Sequence, residues 1–506
     1  MKLIKYNILI FCVILALVSC DTKYEKPSNA LPLNKEVKIF PDYKNVVIPP
    51  NIAPMNFMVR SNADECIAEI RCENKSIIGG GEKRKVFFEE ENWHQFISSC
   101  KGKTAKVTVY AKRNDKWYSF NSYNLTIAPD SIDSYLSYRL IEPGYEYYRQ
   151  LGLYQRNVEN FDVHVIYENN RKHDNKKSHC VNCHNYQNYS TDNMLFHVRG
   201  NMGGTLIAHN GKVEKLDMKT DSTLGSAVYP SWHPHKNWIA FSSNLTGQAF
   251  HMLGKQKIEV VDHGSDLLFY NVDTKEISNI IKTPGDMETF PTWAPSGDKL
   301  YYCVARLPQI NAFTDSMRIQ FVLQKYDSLL YDIMSVSFDE KTMKFGTPQM
   351  EVNCTDMRKS ASVPRVSPDG KYLLFTLGRY GQFHIWHKTA DQYVKNLQTG
   401  KIYPLKAANS KDVDSYHSWS SNGRWIVFSS RRFDGAFTRP YFTYFDKKGI
   451  AHKAFMLPQK DPEQNIKLFK SYNVPEMTKT AVKYTKETFK DVIYNTDGTK
   501  VKYKNL

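Results

Sequence analysis

Apolar and polar positions alternate along much of this 506-residue chain, in short runs bounded by Gly, Pro, Asn and Asp. That period of two is the pattern of half-buried β-strands joined by tight turns. Four stretches line up with one another: "YPSWHPHKNWIAFSSN" (229–244), "FPTWAPSGDKLYYCVA" (290–305), "VPRVSPDGKYLLFTLG" (363–378) and "YHSWSSNGRWIVFSSR" (416–431). Each predicts a short strand, a reversal of the S-P-D-G kind and a second, apolar strand. Trp232, Trp293, Val366 and Trp419 share one register in this alignment. Hairpin-like stretches follow the repeats, as in "DLLFYNVDTKEISNI" (266–280) and "DQYVKNLQTGKIYPL" (391–405). A fifth stretch, "YQNYSTDNMLFHVRG" (186–200), fits the same register, with 190–193 at the turn, 194–198 on the second strand and Tyr189 at the Trp position.

Repeated units of four short strands predict an all-β fold with a β-propeller over residues 131–506. Five units are readable and about six are expected, the last closed by 135–170 pairing with 470–500. Uneven spacing is assigned to insertions such as 306–330. Residues 37–130 carry a different set of short alternating strands, among them "IAEIRCENKSII" and "KTAKVTVYAKRNDKWYSFNSYNLTI". They predict a small β-sandwich of immunoglobulin-like kind.

The N-terminus breaks the alternation. Lys2 and Lys5 precede the apolar run "ILIFCVILALVSC", which ends at Cys20. A basic start, a short apolar run and a small-residue stop resemble a bacterial lipoprotein signal. The resemblance implies a signal peptide over 1–19 and a lipid on Cys20. Residues 20–36 are polar, contain Pro27 and Pro32, and are expected to form a tether. Together these imply a protein exported to the cell envelope and held by its lipid at a bacterial membrane, on the periplasmic side or at the cell surface.

Formal charge is +16. The basic residues are scattered and no nucleic-acid motif accompanies them, so nucleic acid is not an expected partner. Discounting Cys12 and Cys20, cysteines remain at 66, 72, 100, 180, 183, 303 and 354. Export permits disulfides, and a bond within Cys66, Cys72 and Cys100 is one option.

Candidate chemistry concentrates in "SHCVNCHN" (178–185). Roughly 0.005 occurrences of C-x-x-C-H are expected by chance from this composition. The motif matches covalent attachment of a c-type haem. Cys180 and Cys183 would bond the two vinyl groups, and His184 would be the proximal iron ligand. A zinc site is the weaker alternative, because no second C-x-x-C or H-x₃₋₅-H pair stands elsewhere to complete a tetrahedron. A redox dithiol would sit at a helix start in a βαβ context, which this pattern lacks. Met194, His197, Met202 and His417 are candidates for the sixth ligand. Arg199, Arg306, Arg379, Arg431 and Arg432 follow second strands and are expected on the haem face. There Arg199, Arg379 and Arg431 would bind haem propionates or an anionic partner. His233, His235, His251, His263, His384 and His387 form no metal signature, and no hydrolase or transferase motif is present.

The repeats resemble those of TolB-type propellers. "YRLIEPGYEYYRQLGLYQRNVENF" (138–161), "FSSRRFDGAFTRPYF" (428–442), "FMLPQKDPEQN" (455–465) and "SYNVPEM" (471–477) resemble a family of TolB-like lipoproteins carrying one C-x-x-C-H. That resemblance implies a haem-bearing propeller and no defined activity. Electron transfer or ligand sensing at the haem, with an envelope redox partner, is the expected role. The rival is a haem-free propeller acting as a scaffold for envelope proteins. A haem enzyme with an open iron position is a third reading.

Overall fold

The computed structural model describes residues 24–142, 150–169, 175–250 and 258–506. The signal-like segment with Cys20, and His251, lie outside them.

Six groups of four antiparallel strands follow one another around a ring. We number the six inner strands β1 (His179–Gln187), β2 (Ala227–Trp232), β3 (Asp286–Trp293), β4 (Ser360–Val366), β5 (Asp414–Trp419) and β6 (Ser471–Thr478). Outside β1 run Ser190–Gly200, Gly204–His209 and Lys212–Asp217, each antiparallel to the one before it. The groups of β2 to β5 repeat that order. The sixth joins chain segments far apart in sequence: β6 pairs with Tyr135–Ile141, which pairs with Leu151–Asn157 and then Val163–Glu168. Each inner strand packs against the next, and β6 packs against β1, so the ring closes.

Between successive sheets lie separate apolar clusters. One gathers Trp232, Phe241 and Tyr270, another Phe269, Trp293 and Phe338, a third Leu374, Trp419 and Phe428. These are the aromatic and branched positions of the sequence repeats, and their burial is what fixes each sheet against its neighbour.

Ahead of the ring, a seven-stranded sheet and a three-stranded sheet enclose a further core with Trp93, Ile97 and Val109. Helix α1 (Glu90–Ser99) lies in this region and has no counterpart in the sequence reading. Glu89 caps it, accepting from the backbone N–H groups of Glu91 and Asn92. Leu31–Glu36, expected to belong to a tether, instead forms a strand parallel to Lys116–Asn121. Pro32 is tolerated there because the strand lies at a sheet edge.

All cysteines of the described residues are buried thiols. Burial and the adjacent Cys100 thiol push the Cys72 thiol up to about 11.

The chain ends on the ring's outer side. Helix α2 (Lys486–Asn495) buries Phe489 and Ile493 against Phe196 and its neighbours. Thr499–Lys500 then extends the sheet of β1, and Lys502–Tyr503 extends that of β2.

Candidate haem site in the central cavity

The six inner strands surround a cavity of about 1650 Å³. Every one of them is interrupted at the same level. A register shift falls at Asn182/Asn185 in β1, Val228/Ser231 in β2, Thr289/Thr292 in β3, Ser362/Arg365 in β4 and Ser415/His417 in β5. In β6 it falls opposite Ser137/Arg139. Within each bulge one residue takes the left-handed conformation: Cys183, Tyr229, Phe290, Val363, Tyr416 and Val474, with φ between +47° and +52°. All six line the cavity. A β-bulge re-aims the side chain it carries, and here it aims one residue per strand at the axis.

This bulge brings the two motif cysteines together. In an unbroken strand, residues three apart face opposite sides. With Cys183 at φ +50°, both Cys180 and Cys183 reach the cavity wall, followed by His184. The motif therefore lies on the innermost strand, not ahead of it as the sequence register implied. Cys183 occupies the position of Tyr229, so Tyr186, rather than Tyr189, corresponds to Trp232. The hairpin turn is Asn188–Tyr189, both with positive φ, joining Gln187 to its partner Ser190. Residues 190–193 are strand, and Asn193 is not a turn residue.

His184 is buried, and neither ring nitrogen makes a hydrogen bond of normal geometry among the described residues, the Val474 backbone exerting only a weak opposing pull on its titration. Burial, with the Arg139 guanidinium adding repulsion, holds its pKa down at about 3. The imidazole is therefore neutral, the form that ligates iron. Glu476 Oε2 lies 3.9 Å from His184 Nε2. Burial raises the Glu476 carboxyl to about 7, against the pull of Arg365 and of hydrogen bonds from the Tyr186 backbone and Asn185. Burial also raises the Cys180 thiol, opposed by Arg139 and Arg199.

The sixth-ligand candidates separate. Met194 is fully buried in an apolar cluster with Tyr167 and Phe196, and Met202 packs against the same cluster. His197 accepts from or donates to Thr205 Oγ1 at 2.9 Å through Nδ1 and stands beside Phe241, between two sheets. None of these three lines the cavity. His417 does, with its Nε2 unpartnered among the described residues.

The arginines separate too. Arg199 and Arg431 reach the cavity. Arg379 is exposed and off the wall, because Phe383, Ile385 and Trp386 of its own loop take the inward positions. Arg306 pairs with Asp332 at 2.6 Å, and Arg432 with Asp414 at 2.7 Å. The sequence reading missed Arg139, Arg365 and Glu476, all on the wall.

No protein-family model matches the chain, and no curated protein matches it in sequence. Solved structures similar to it include prolyl oligopeptidase B from Galerina marginata (TM-score 0.34, 11% identity, 69% of this chain and 42% of that one). Hydrazine synthase of Kuenenia stuttgartiensis is another (TM-score 0.43, 10% identity, 68% of this chain and 46% of that one). The β-propeller domain of the Trilobed protease from Pyrococcus furiosus is a third (TM-score 0.35, 9% identity, 84% of this chain and 99% of that one). The chain thus spans less than half the length of the first two.

Proposed function

We propose that this chain is an exported, lipid-anchored protein whose six-bladed, TolB-like β-propeller carries one covalent c-type haem in its central cavity. The N-terminal sheets form a small immunoglobulin-like β-sandwich in front of the propeller. The observation that carries the reading is the joint placement of Cys180, Cys183 and His184 on the wall of a 1650 Å³ cavity, with an imidazole that makes no hydrogen bond of normal geometry among the described residues. An isolated buried polar group is costly, and a ligated iron would satisfy it.

Attachment would need both thiols free, and Cys180 and Cys183 are buried and paired with no other cysteine among the described residues. Cys180 and Cys183 would each hold the haem through a thioether, the S–H adding across a vinyl double bond with its hydrogen going to the other vinyl carbon and no net gain or loss of electrons. His184 and His417, both on the cavity wall, are the residues that would hold the haem iron. When bound, the haem supplies one-electron transfer or ligand binding at iron. The protein's part is to hold both axial groups neutral and to surround them with apolar and arginine side chains. Cys20 anchors the molecule to a membrane, where an envelope redox partner would meet it.

Residues 21–506, exported in cells that mature c-type cytochromes, should give a pyridine haemochrome α-band of the c type that survives acid-acetone extraction. Substituting Cys180 and Cys183 by Ala should abolish it. No band, in cells that mature a control cytochrome, would sink the haem reading and favour the haem-free scaffold.

A further inference from the structure

Arg431 has a position that the attachment motif does not require. Its side chain lies on the cavity wall at 7% exposure. Its guanidinium stacks on Trp386, with Cζ 3.9 Å from the ring centroid. The acids that attract it, Asp412 and Asp434, are engaged elsewhere: Asp412 with Lys388 at 3.8 Å and Asp434 with Arg439 at 4.0 Å. Among the described residues Arg431 Nε has no hydrogen-bond partner. A buried guanidinium that faces a cavity, with its two nearby acids outside ion-pair distance, is unfavourable unless a ligand brings a closer anion.

The ring order places this arginine. Counting around the ring from β1, which carries Cys180 and Cys183, the opposite strand is β4. Trp386 lies in the loop after the second strand of the β4 sheet, and Arg431 directly follows the second strand of the adjoining β5 sheet. Phe383, Ile385 and Phe437 line the cavity beside them. The surroundings are thus flat and apolar with one planar cation, and a guanidinium fork offers a carboxylate two parallel N–H···O bonds.

We propose that Arg431, backed by Trp386, is a seat for a carboxylate borne on a flat apolar ligand, across the cavity from Cys180 and Cys183. Where the ligand is haem, the inference rests on the reading above. The vinyl and propionate groups occupy opposite edges of the porphyrin, so anchoring one edge at the thiols directs the other toward Arg431. A free aromatic carboxylate is the other source of the same chemistry.

The test uses the full mature chain with Cys180→Ala and Cys183→Ala, which cannot attach haem. It is titrated with protoporphyrin IX, with protoporphyrin IX dimethyl ester and with benzoate, read by tryptophan fluorescence quenching. The diacid should bind about tenfold more tightly than the diester, the order expected of one charge-assisted bidentate pair. Arg431→Gln should erase that difference and Arg431→Lys should keep part of it. Arg139, Arg199 and Arg365 share the wall, so the assignment to Arg431 rests on the two variants: should Arg431→Gln misfold, partial loss of discrimination in Arg431→Lys still places the seat at this position, and undiminished discrimination in Arg431→Lys overturns it. Benzoate binding that is lost in Arg431→Gln, without porphyrin discrimination, assigns the seat to free carboxylates. Equal binding of diacid and diester with no benzoate binding overturns the proposal. The haemochrome assay judges the haem reading separately: a chain without haem c that still discriminates diacid from diester retires the haem and keeps the seat.

Discussion

His184 and His417 share one register position on two inner strands, the position held by Pro230, Pro291, Pro364 and Pro475 on the others. Proline suits a bulge, where one backbone N–H is left without a ladder partner. Histidine at that place adds an imidazole to the wall, and burial holds both rings neutral at pKa values of about 3. In the haem-loaded protein His417→Ala should therefore convert a six-coordinate, low-spin spectrum into a high-spin one, and added imidazole should restore the original. His197→Ala, remote from the wall, should leave the spectrum alone. An unchanged His417→Ala spectrum would remove His417 as the ligand. A second residue-scale prediction concerns Asp262, which is fully buried. Its Oδ2 accepts from Asn244 and Gln382, while Oδ1 has no partner among the described residues. Burial lifts its pKa to about 7, against the two hydrogen bonds. Because the folded pKa stands above the ordinary one, the folded chain keeps a proton that the unfolded chain has already lost. Stability from this group is thus fullest below the ordinary carboxylate range and declines as pH rises toward 7. The loss is at most on the order of 4 kcal/mol. Asp262→Asn, which mimics the protonated acid, should flatten that slope. Urea unfolding of both chains at mildly acidic and mildly alkaline pH checks this, and parallel curves would refute it.

The strand repeats were legible because aromatic and branched residues recur in fixed order around an S-P-D-G-like reversal, and those four stretches do lie on β2 to β5 with their partner strands. The motif strand was misread by three residues for a physical reason. A two-residue hairpin turn of type I′ needs positive φ at both central positions, and Asn-Gly would have announced it. Asn188–Tyr189 adopts that geometry without glycine, while Ser-Thr-Asp-Asn at 190–193 has turn composition but runs as strand. Strand β6 was expected only within 470–500 as the partner that closes the ring, although "NVPEM" also repeats the V-P pattern of "SVPRV", one bulge per strand. The left-handed residues themselves were not legible. Non-glycine residues pay roughly 1–3 kcal/mol each for such backbone, so local propensity argues against them. The packing of six strands around an axis imposes them instead. Arg139 and Glu476 escaped notice likewise, because their place on the wall depends on the strand pairing that closes the ring.

At the scale of the molecule, closure couples the two ends of the chain. Tyr135–Ile141 and β6 form one sheet although more than three hundred residues of ring separate them. The region before the ring is equally tied in. Its apolar core is continuous with Trp425, Phe442, Phe455 and Tyr472 of the ring. Trp425 donates its indole N–H to the Asp130 carbonyl at 3.1 Å, and Tyr444 donates to Asp130 Oδ2 at 2.6 Å. Ser421 donates to Asp133 through both its backbone N–H and its hydroxyl, and Lys85 pairs with Asp461. An interface built around buried aromatic side chains, rather than polar surface contacts alone, makes separate unfolding of either part costly, since each would expose the other's core. The apo chain should accordingly unfold in one cooperative step, with far-UV circular dichroism and tryptophan fluorescence tracing superimposable urea curves. Trp425→Ala should cost about 3–5 kcal/mol and should also uncouple the two parts, splitting the transition. Two transitions in the unmodified chain would show that the N-terminal sheets fold on their own and that the shared core contributes little to holding them to the ring.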